Sequence, residues 1–191
     1  DRQSGRLVAF PPDITPQVAR IAATRMRDMP LPFRLCYNGR VLRHTEQQLG
    51  KDRQIYQSGV ELIGLSGPEA DAEMIAMAVM CLQAVGATGF TIDIGQVEFL
   101  RGVLDDLPLD AAQSRDVRTA IAAKDISGLQ QKLKGLPLTA RQRDELLALP
   151  RLYGGRETLD QARQVITNPA SQKALDNLER ILEVLTVYGV E

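Results

Sequence analysis

Two runs decide how this chain is read: Arg40-Val41-Leu42-Arg43-His44, and, after a polar stretch, Arg53-Gln54-Ile55-Tyr56-Gln57-Ser58-Gly59-Val60-Glu61-Leu62-Ile63-Gly64. The second run has the apolar alternation of a strand over 54–64. Side chains on a strand point alternately to its two faces, so Gln57, Gly59 and Glu61 share one face while Tyr56, Val60 and Leu62 share the other. An amide, a missing side chain and a carboxylate make a poor core. They suit the floor of a pocket for a small ligand carrying an ammonium group: Glu61 brings charge, Gln57 a donor and an acceptor, and Gly59 room. A solvated sheet face is the competing reading of the same alternation.

Upstream, residues 33–43 are rich in Phe, Leu, Tyr and Val and read as a second strand. With residues 45–53 as a polar loop, the two predict a hairpin with a long connection. Most hairpin connections are short, and long polar ones often carry function. Further upstream, Thr15-Pro16 reads as an N-cap followed by Pro at the first helical position. Val18, Ile21, Ala22 and Met26 then mark one face of a helix to about Asp28, and Pro30 and Pro32 break it. Downstream, Ser66-Gly67-Pro68-Glu69 has the spacing of a capping box. Met74, Ile75, Ala78, Cys81, Leu82 and Val85 are expected to form the apolar face of the helix that follows, with Gly86 as its stop. Residues 90–94 alternate as a short strand and 96–105 read as helix.

After Leu107-Pro108 the strand signals cease. Asp110 with Gln113 and Thr139 with Gln142 read as helix starts. Breakers stand at Gly135, Pro137, Pro150, Gly154-Gly155 and Asn168-Pro169. Leu175, Leu178, Ile181, Leu182 and Leu185 recur at helical spacing. The domain organisation expected is therefore a mixed α+β portion over 1–106 and an all-helical subdomain over 107–191.

The chain has 191 residues, a formal net charge of −1 and a single histidine. That balance gives no general pull toward nucleic acid or an anionic membrane, so neither is expected as a partner. The apolar runs are far short of the roughly 20 residues a membrane helix needs. The polar opening Asp1-Arg2-Gln3-Ser4-Gly5 reads as a turn inside a longer protein. Cys36 and Cys81 are too few for a disulfide framework and read as buried, reduced thiols. With His44 alone, a Cys/His zinc site lacks ligands, and no nucleophile motif accompanies it. Gly50-Lys51 lacks the spacing of a phosphate loop. Asp105-Asp106 reads as a helix end or turn, and Arg141 and Arg143 as a solvated face.

The stretch Arg40–Gly64 resembles motif 2 of the class II aminoacyl-tRNA synthetases, in the histidyl form: an Arg-His pair before the loop and a Gln-x-Gly-x-Glu strand after it. The helix start Gly67-Pro68-Glu69-Ala70-Asp71-Ala72-Glu73 also fits that group. Pro12-Asp13-Ile14-Thr15-Pro16-Gln17-Val18-Ala19-Arg20 is more similar to the regulatory subunits of ATP phosphoribosyltransferase, a synthetase-like family, than to the synthetases, which have Pro-Glu-Gly-Thr there. The likeness is good over about residues 4–105 and weak beyond, where such chains carry a helical insertion.

This resemblance implies an incomplete class II synthetase-like antiparallel core. It carries a histidine pocket onto Asp13, Thr15, Arg43, Gln57 and Glu61, with Glu61 and Asp13 at the ligand's amino group, Gln57 and Thr15 adding polar contacts, and Arg43 facing its carboxylate. It implies no catalytic residue, cofactor or metal. The implied partners are the short-form ATP phosphoribosyltransferase catalytic subunit and L-histidine as effector, in a cytoplasmic hetero-oligomer containing a homodimer. Motif 1 is expected before Asp1, and the histidine-specific loop and motif 3 after Glu191. A synthetase needs an acid two residues after the motif 2 Arg, to hold the ATP adenine; here that position is Thr45. Glu46-Gln47 stands where the synthetase has Arg-Pro, and a carboxylate there repels a triphosphate. A one-residue shift of the loop would put Glu46 in the acid's place. Two other readings stay open: a histidyl-tRNA synthetase core fragment, and a synthetase-like binding module with another partner.

Overall fold

The computed structural model describes residues 5, 9–43 and 53–190. His44, Thr45, Glu46, Gln47, Gly50 and Lys51, on which the readings of the motif 2 loop rest, lie outside the described residues. The chain divides into two compact units, Asp1–Ala70 and Asp71–Glu191. This is where packing divides; the texture change at 107 marks where strand signals end in the sequence.

The first unit is built on a hairpin of two ten-residue strands, β1 (Phe33–Leu42) and β2 (Gln54–Ile63), paired antiparallel. Their limits fall within a residue of the sequence expectation. The register sets Tyr37 opposite Gly59 and Gly39 opposite Gln57. Along the shared face Phe33 and Val41 are buried near the two ends, while Tyr37, Gly39, Gln57, Gly59 and Glu61 between them are only half-buried. The opposite face is exposed, with the cross-strand neighbours Arg40 and Tyr56 in a cation–π contact at 5.4 Å.

Helix α1 (Thr15–Thr24) buries Val18 and Ala22. It is shorter than expected, and Thr15 is its first residue rather than its cap. The N-cap residue is Ile14, whose side chain makes no capping bond. Asp13 supplies the acceptor instead, its Oδ1 taking the backbone N–H of Ile14 at 2.7 Å and of Thr15 at 3.3 Å. Thr15 is thereby free of the capping duty that its residue type suggests.

In the second unit, helix α2 (Pro68–Ala84, its first turn crossing the division) ends as expected at Gly86. Gly86 has φ of +81°, its N–H donates to Gln83 O, and the N–H of Ala87 donates to Leu82 O, the paired closure that glycine's left-handed freedom permits. The buried face of α2 is not the expected one: Ala72, Ala76 and Val79 are buried, whereas Ala78, Cys81, Leu82 and Val85 are exposed. Ala72 and Ala76 share a cluster with Ile181 and Leu185 of α8 (Pro169–Val187). Residues 90–94 form no strand. Alternation alone does not make one, because a strand needs a hydrogen-bonding neighbour, and the described residues offer only the β1–β2 sheet.

Helix α3 (Val97–Asp105) follows, with Gln96 as its cap and Asp106 at its end. Then come α4 (Ala111–Ala122), α5 (Ile126–Leu133), α6 (Ala140–Ala148), a short 3-10 turn at Leu149–Arg151, and α7 (Glu157–Val165) before α8. Both anticipated helix starts are observed, and each is closed by a capping box, Asp110 with Gln113 and Thr139 with Gln142. Val103, Leu104, Val117, Leu129, Leu133, Leu146 and Ile166 make the main core. Arg143 is no solvated residue: it is half-buried and donates to the carbonyls of Leu133 and Leu136, satisfying the end of α5. Cys36 and Cys81 are free as expected but exposed rather than buried. No helix among the described residues is long and apolar enough to cross a membrane.

Helices α3 and α8 cross at Gly102, where an added Cβ would meet Ser171 Oγ at 2.7 Å, Asn168 Oδ1 at 2.8 Å and the Ser171 backbone nitrogen at 2.9 Å. Ser171 is fully buried and Asn168 caps α8, so neither can withdraw freely. Gly102→Ala is expected to destabilise the fold by roughly 1–3 kcal/mol, as overpacking does, read as a lower denaturant midpoint; an unchanged midpoint would mean a looser crossing. Thr139→Ala removes one half of a capping box and is expected to cost about 1 kcal/mol in the same measurement.

Candidate functional site

All five residues carried over by resemblance lie in the first unit, and four of them meet over the middle of the hairpin. Strand alternation puts Gln57 and Glu61 on the face lined by Tyr37, and the start of α1 brings Asp13 and Thr15 to the same place. Gln57 Nε2 donates to Asp13 Oδ1 at 3.0 Å and to the Tyr37 hydroxyl at 3.0 Å. Thr15 Oγ1 donates to Glu61 Oε1 at 2.6 Å and lies 3.4 Å from the Tyr37 hydroxyl. Arg43 stands to the side, its Nε donating to the carbonyl of Pro12 at 3.2 Å.

The donors and acceptors can be followed one proton at a time. A carboxylate only accepts, so the single hydroxyl proton of Thr15 goes to Glu61. Thr15 Oγ1 can then only accept from Tyr37, which makes Tyr37 the donor across the longer gap. Both N–H groups of the Gln57 amide are likewise committed, one of them to a carboxylate, and this fixes which way the amide faces. Its oxygen, Oε1, is buried, and among the described residues nothing donates to it. The groups the cluster can offer a ligand are therefore acceptors, chiefly the two carboxylates. A buried acceptor without a partner, as Oε1 is among the described residues, costs on the order of 1–3 kcal/mol.

Asp13 is held ionised. The Gln57 side chain contributes most to lowering its pKa below the ordinary carboxylate value, followed by the backbone N–H of Thr15; partial burial opposes them, and the N–H of Ile14 and the charge of Arg43 add to the lowering. These are hydrogen bonds to the charged form, which favour it.

The two glycines give the floor its shape. A Cβ on Gly59 would overlap the Tyr37 ring, with Cε1 at 2.9 Å and Cζ and the hydroxyl nearer still, and one on Gly39 would meet Ile14 Cδ1 at 3.0 Å. Each glycine thus admits a side chain that crosses above it. Tyr37 was not singled out from the sequence. The signal that finds it is the hairpin register, because only the pairing of residue 37 with residue 59 sets an aromatic ring opposite a glycine.

In the cleft bordered by Thr139, Arg141 and Asn168, Arg141 Nε donates to Glu145 at 2.9 Å and another of its N–H groups to Thr167. No group of three or more His, Cys, Asp or Glu suited to a metal occurs among the described residues.

Comparison with known proteins bears on the family and the fold. The family model described as histidyl-tRNA synthetase matches residues 1–191. A relative from Syntrophotalea carbinolica, named ATP phosphoribosyltransferase regulatory subunit, is 66% identical over 191 residues, covering 100% of this chain and 45% of the relative. The chain thus spans less than half the length of this relative. Among solved structures, an ATP phosphoribosyltransferase regulatory subunit/histidyl-tRNA synthetase from Bacillus halodurans superimposes with a TM-score of 0.84 at 32% identity, over 94% of this chain and 46% of that one. Histidyl-tRNA synthetase from Nostoc sp. PCC 7120 shares the fold, with a TM-score of 0.73 at 20% identity over 95% of this chain and 43% of that one. The mixed architecture of helices and an antiparallel hairpin is accordingly that of a class II synthetase-like protein, and the chain belongs to the histidyl-tRNA synthetase family.

Proposed function

We propose that this chain is part of a non-catalytic regulatory subunit of ATP phosphoribosyltransferase, which binds L-histidine in the hairpin pocket and conveys it as feedback inhibition to a short-form catalytic subunit. The observation that carries the ligand side of this reading is the acceptor-rich cluster: Asp13 and Glu61 flank a Gln57 whose buried oxygen has no donor among the described residues. An α-ammonium group brings three N–H donors and a positive charge, which this arrangement lacks and can use. In this reading Glu61 and Asp13 hold the ammonium, Thr15 and Gln57 add polar contacts, and Arg43 faces the carboxylate. The regulatory side is supported by the name of the 66% identical relative. No catalytic residue or cofactor is assigned. A cytoplasmic hetero-oligomer containing a homodimer is the setting proposed.

Feedback requires histidine to prefer one of two states of the assembly, since a ligand that binds both equally shifts neither. Thr45, in the position where a synthetase uses an acid toward ATP, supports a sensor over a synthetase. A second reading, a histidyl-tRNA synthetase core fragment, has the family description and the Nostoc fold in its favour. It requires histidine-dependent ATP–pyrophosphate exchange, which a regulatory subunit does not perform.

The decisive assay is phosphoribosyl-ATP formation by a short-form catalytic subunit, with and without the full-length protein carrying this chain, across a histidine titration. Higher activity together with new histidine sensitivity is expected. If neither appears and ATP–pyrophosphate exchange does, the synthetase reading replaces this one. Glu61→Ala should reduce histidine affinity by at least about 30-fold, as loss of a charged partner costs 2 kcal/mol or more, while assembly with the catalytic subunit persists. Unchanged affinity in calorimetry would remove Glu61 from the site.

A further inference from the structure

Tyr37 is the one member of the polar cluster that the resemblance does not assign. Its ring lies on Gly59, where a Cβ would overlap it, and its hydroxyl joins two chains of hydrogen bonds. One comes in from the Gln57 amide at 3.0 Å. The other leaves toward Thr15 and, through the Thr15 hydroxyl, ends on Glu61. Tyrosine is the aromatic residue that can accept the first and donate the second through one atom.

We infer that Tyr37 is a positioning residue for the ligand: its hydroxyl accepts from the Gln57 amide and reaches Thr15, and so holds Gln57 and, through Thr15, the Glu61 carboxylate in the arrangement that a bound amino acid meets. The inference rests on the amino-acid pocket proposed above. Without the hydroxyl, Gln57 keeps only its bond to Asp13 on that nitrogen, and the amide can rotate about its last torsion, which is intrinsically soft. Ligand contact with the cluster then costs ordering that the wild-type protein has already made, the ordinary effect of lost preorganisation. Gly59 is part of the same device, because any side chain there displaces the ring that carries the hydroxyl. The pairing of an aromatic residue at 37 with glycine at 59 is thus a requirement of the pocket, beyond its value to the sheet.

Tyr37→Phe removes the hydroxyl and leaves the ring on Gly59. In the full-length protein its unfolding midpoint should match wild type, and L-histidine affinity by calorimetry should fall about tenfold, the scale of one net hydrogen bond. Gly59→Ala should weaken histidine at least as much. The side-chain amide resonances of Gln57, identified by their absence in Gln57→Leu, should move in ligand-free Tyr37→Phe. Wild-type affinity in Tyr37→Phe would overturn the inference, as would a loss of affinity accompanied by a lower unfolding midpoint, which marks a merely structural role. If wild type itself binds no histidine, the pocket reading fails separately. The amide resonances then decide: unmoved, they dismiss Tyr37 as the group that orients Gln57; moved, they sustain it.

Discussion

The pairing register of β1 with β2 is the constraint on which the polar cluster of the hairpin depends. Side chains alternate strictly along a strand, so a slip of one residue would turn Gln57, Gly59 and Glu61 to the opposite face and bring Tyr56, Val60 and Leu62 inward. The observed register does more than choose a face. It sets each of two glycines opposite a long side chain, Gly59 under Tyr37 and Gly39 across from Gln57. The space above the sheet is shaped by where side chains are absent. Val41 and Phe33 bury the ends of the same face, which holds this register against slippage.

A polar cluster on a sheet face is costly unless its groups are satisfied or meant to be completed by something else. Here the internal bonds follow a definite direction. Protons run from Gln57 to Asp13, and from Gln57 through Tyr37 and Thr15 to Glu61. Among the described residues, one buried amide oxygen is left over. Such a cluster is complementary to a donor-rich cation and repels an anion. The start of α1 takes part because Asp13 has assumed the capping of the helix, which releases the Thr15 hydroxyl for Glu61. Local helix chemistry and the site are therefore coupled through one carboxylate.

The helical unit follows different rules. Its limits are set by caps at Gln96, Asp110, Asp125, Thr139 and Asn168, each a side chain accepting from the first turn. Its core is aliphatic, and α3 lies close to α8 because Gly102 and Ser171 present almost no bulk at their crossing. Arg163 joins α7 to α8 through Asp176 at 2.6 Å and Glu179 at 2.8 Å. These are devices of stability, and the polar groups among them are already paired with one another.

The sequence by itself determined both strands to within a residue, the helix starts at Asp110 and Thr139, the glycine stop of α2, and the common face of Gln57 and Glu61. All of these are local: strand alternation, a cap with its partner three residues on, or glycine's tolerance of positive φ is readable within one turn or one strand. The family could be read too, because motif 2 is a local pattern. Tertiary structure alone decided what depends on a neighbour. Residues 90–94 alternate yet form no strand, since alternation supplies no hydrogen-bonding partner. Helix α2 buries Ala72 and Ala76 and exposes Leu82, because which face is buried is decided by the neighbours that pack on it, here Ile181 and Leu185. Cys36 is exposed because register placed it on the outer face of β1, and Arg143 left the solvent for the open carbonyls of α5. Tyr37 belongs to this second group: its residue type says aromatic, and only the strand across from it makes it the hub of the site.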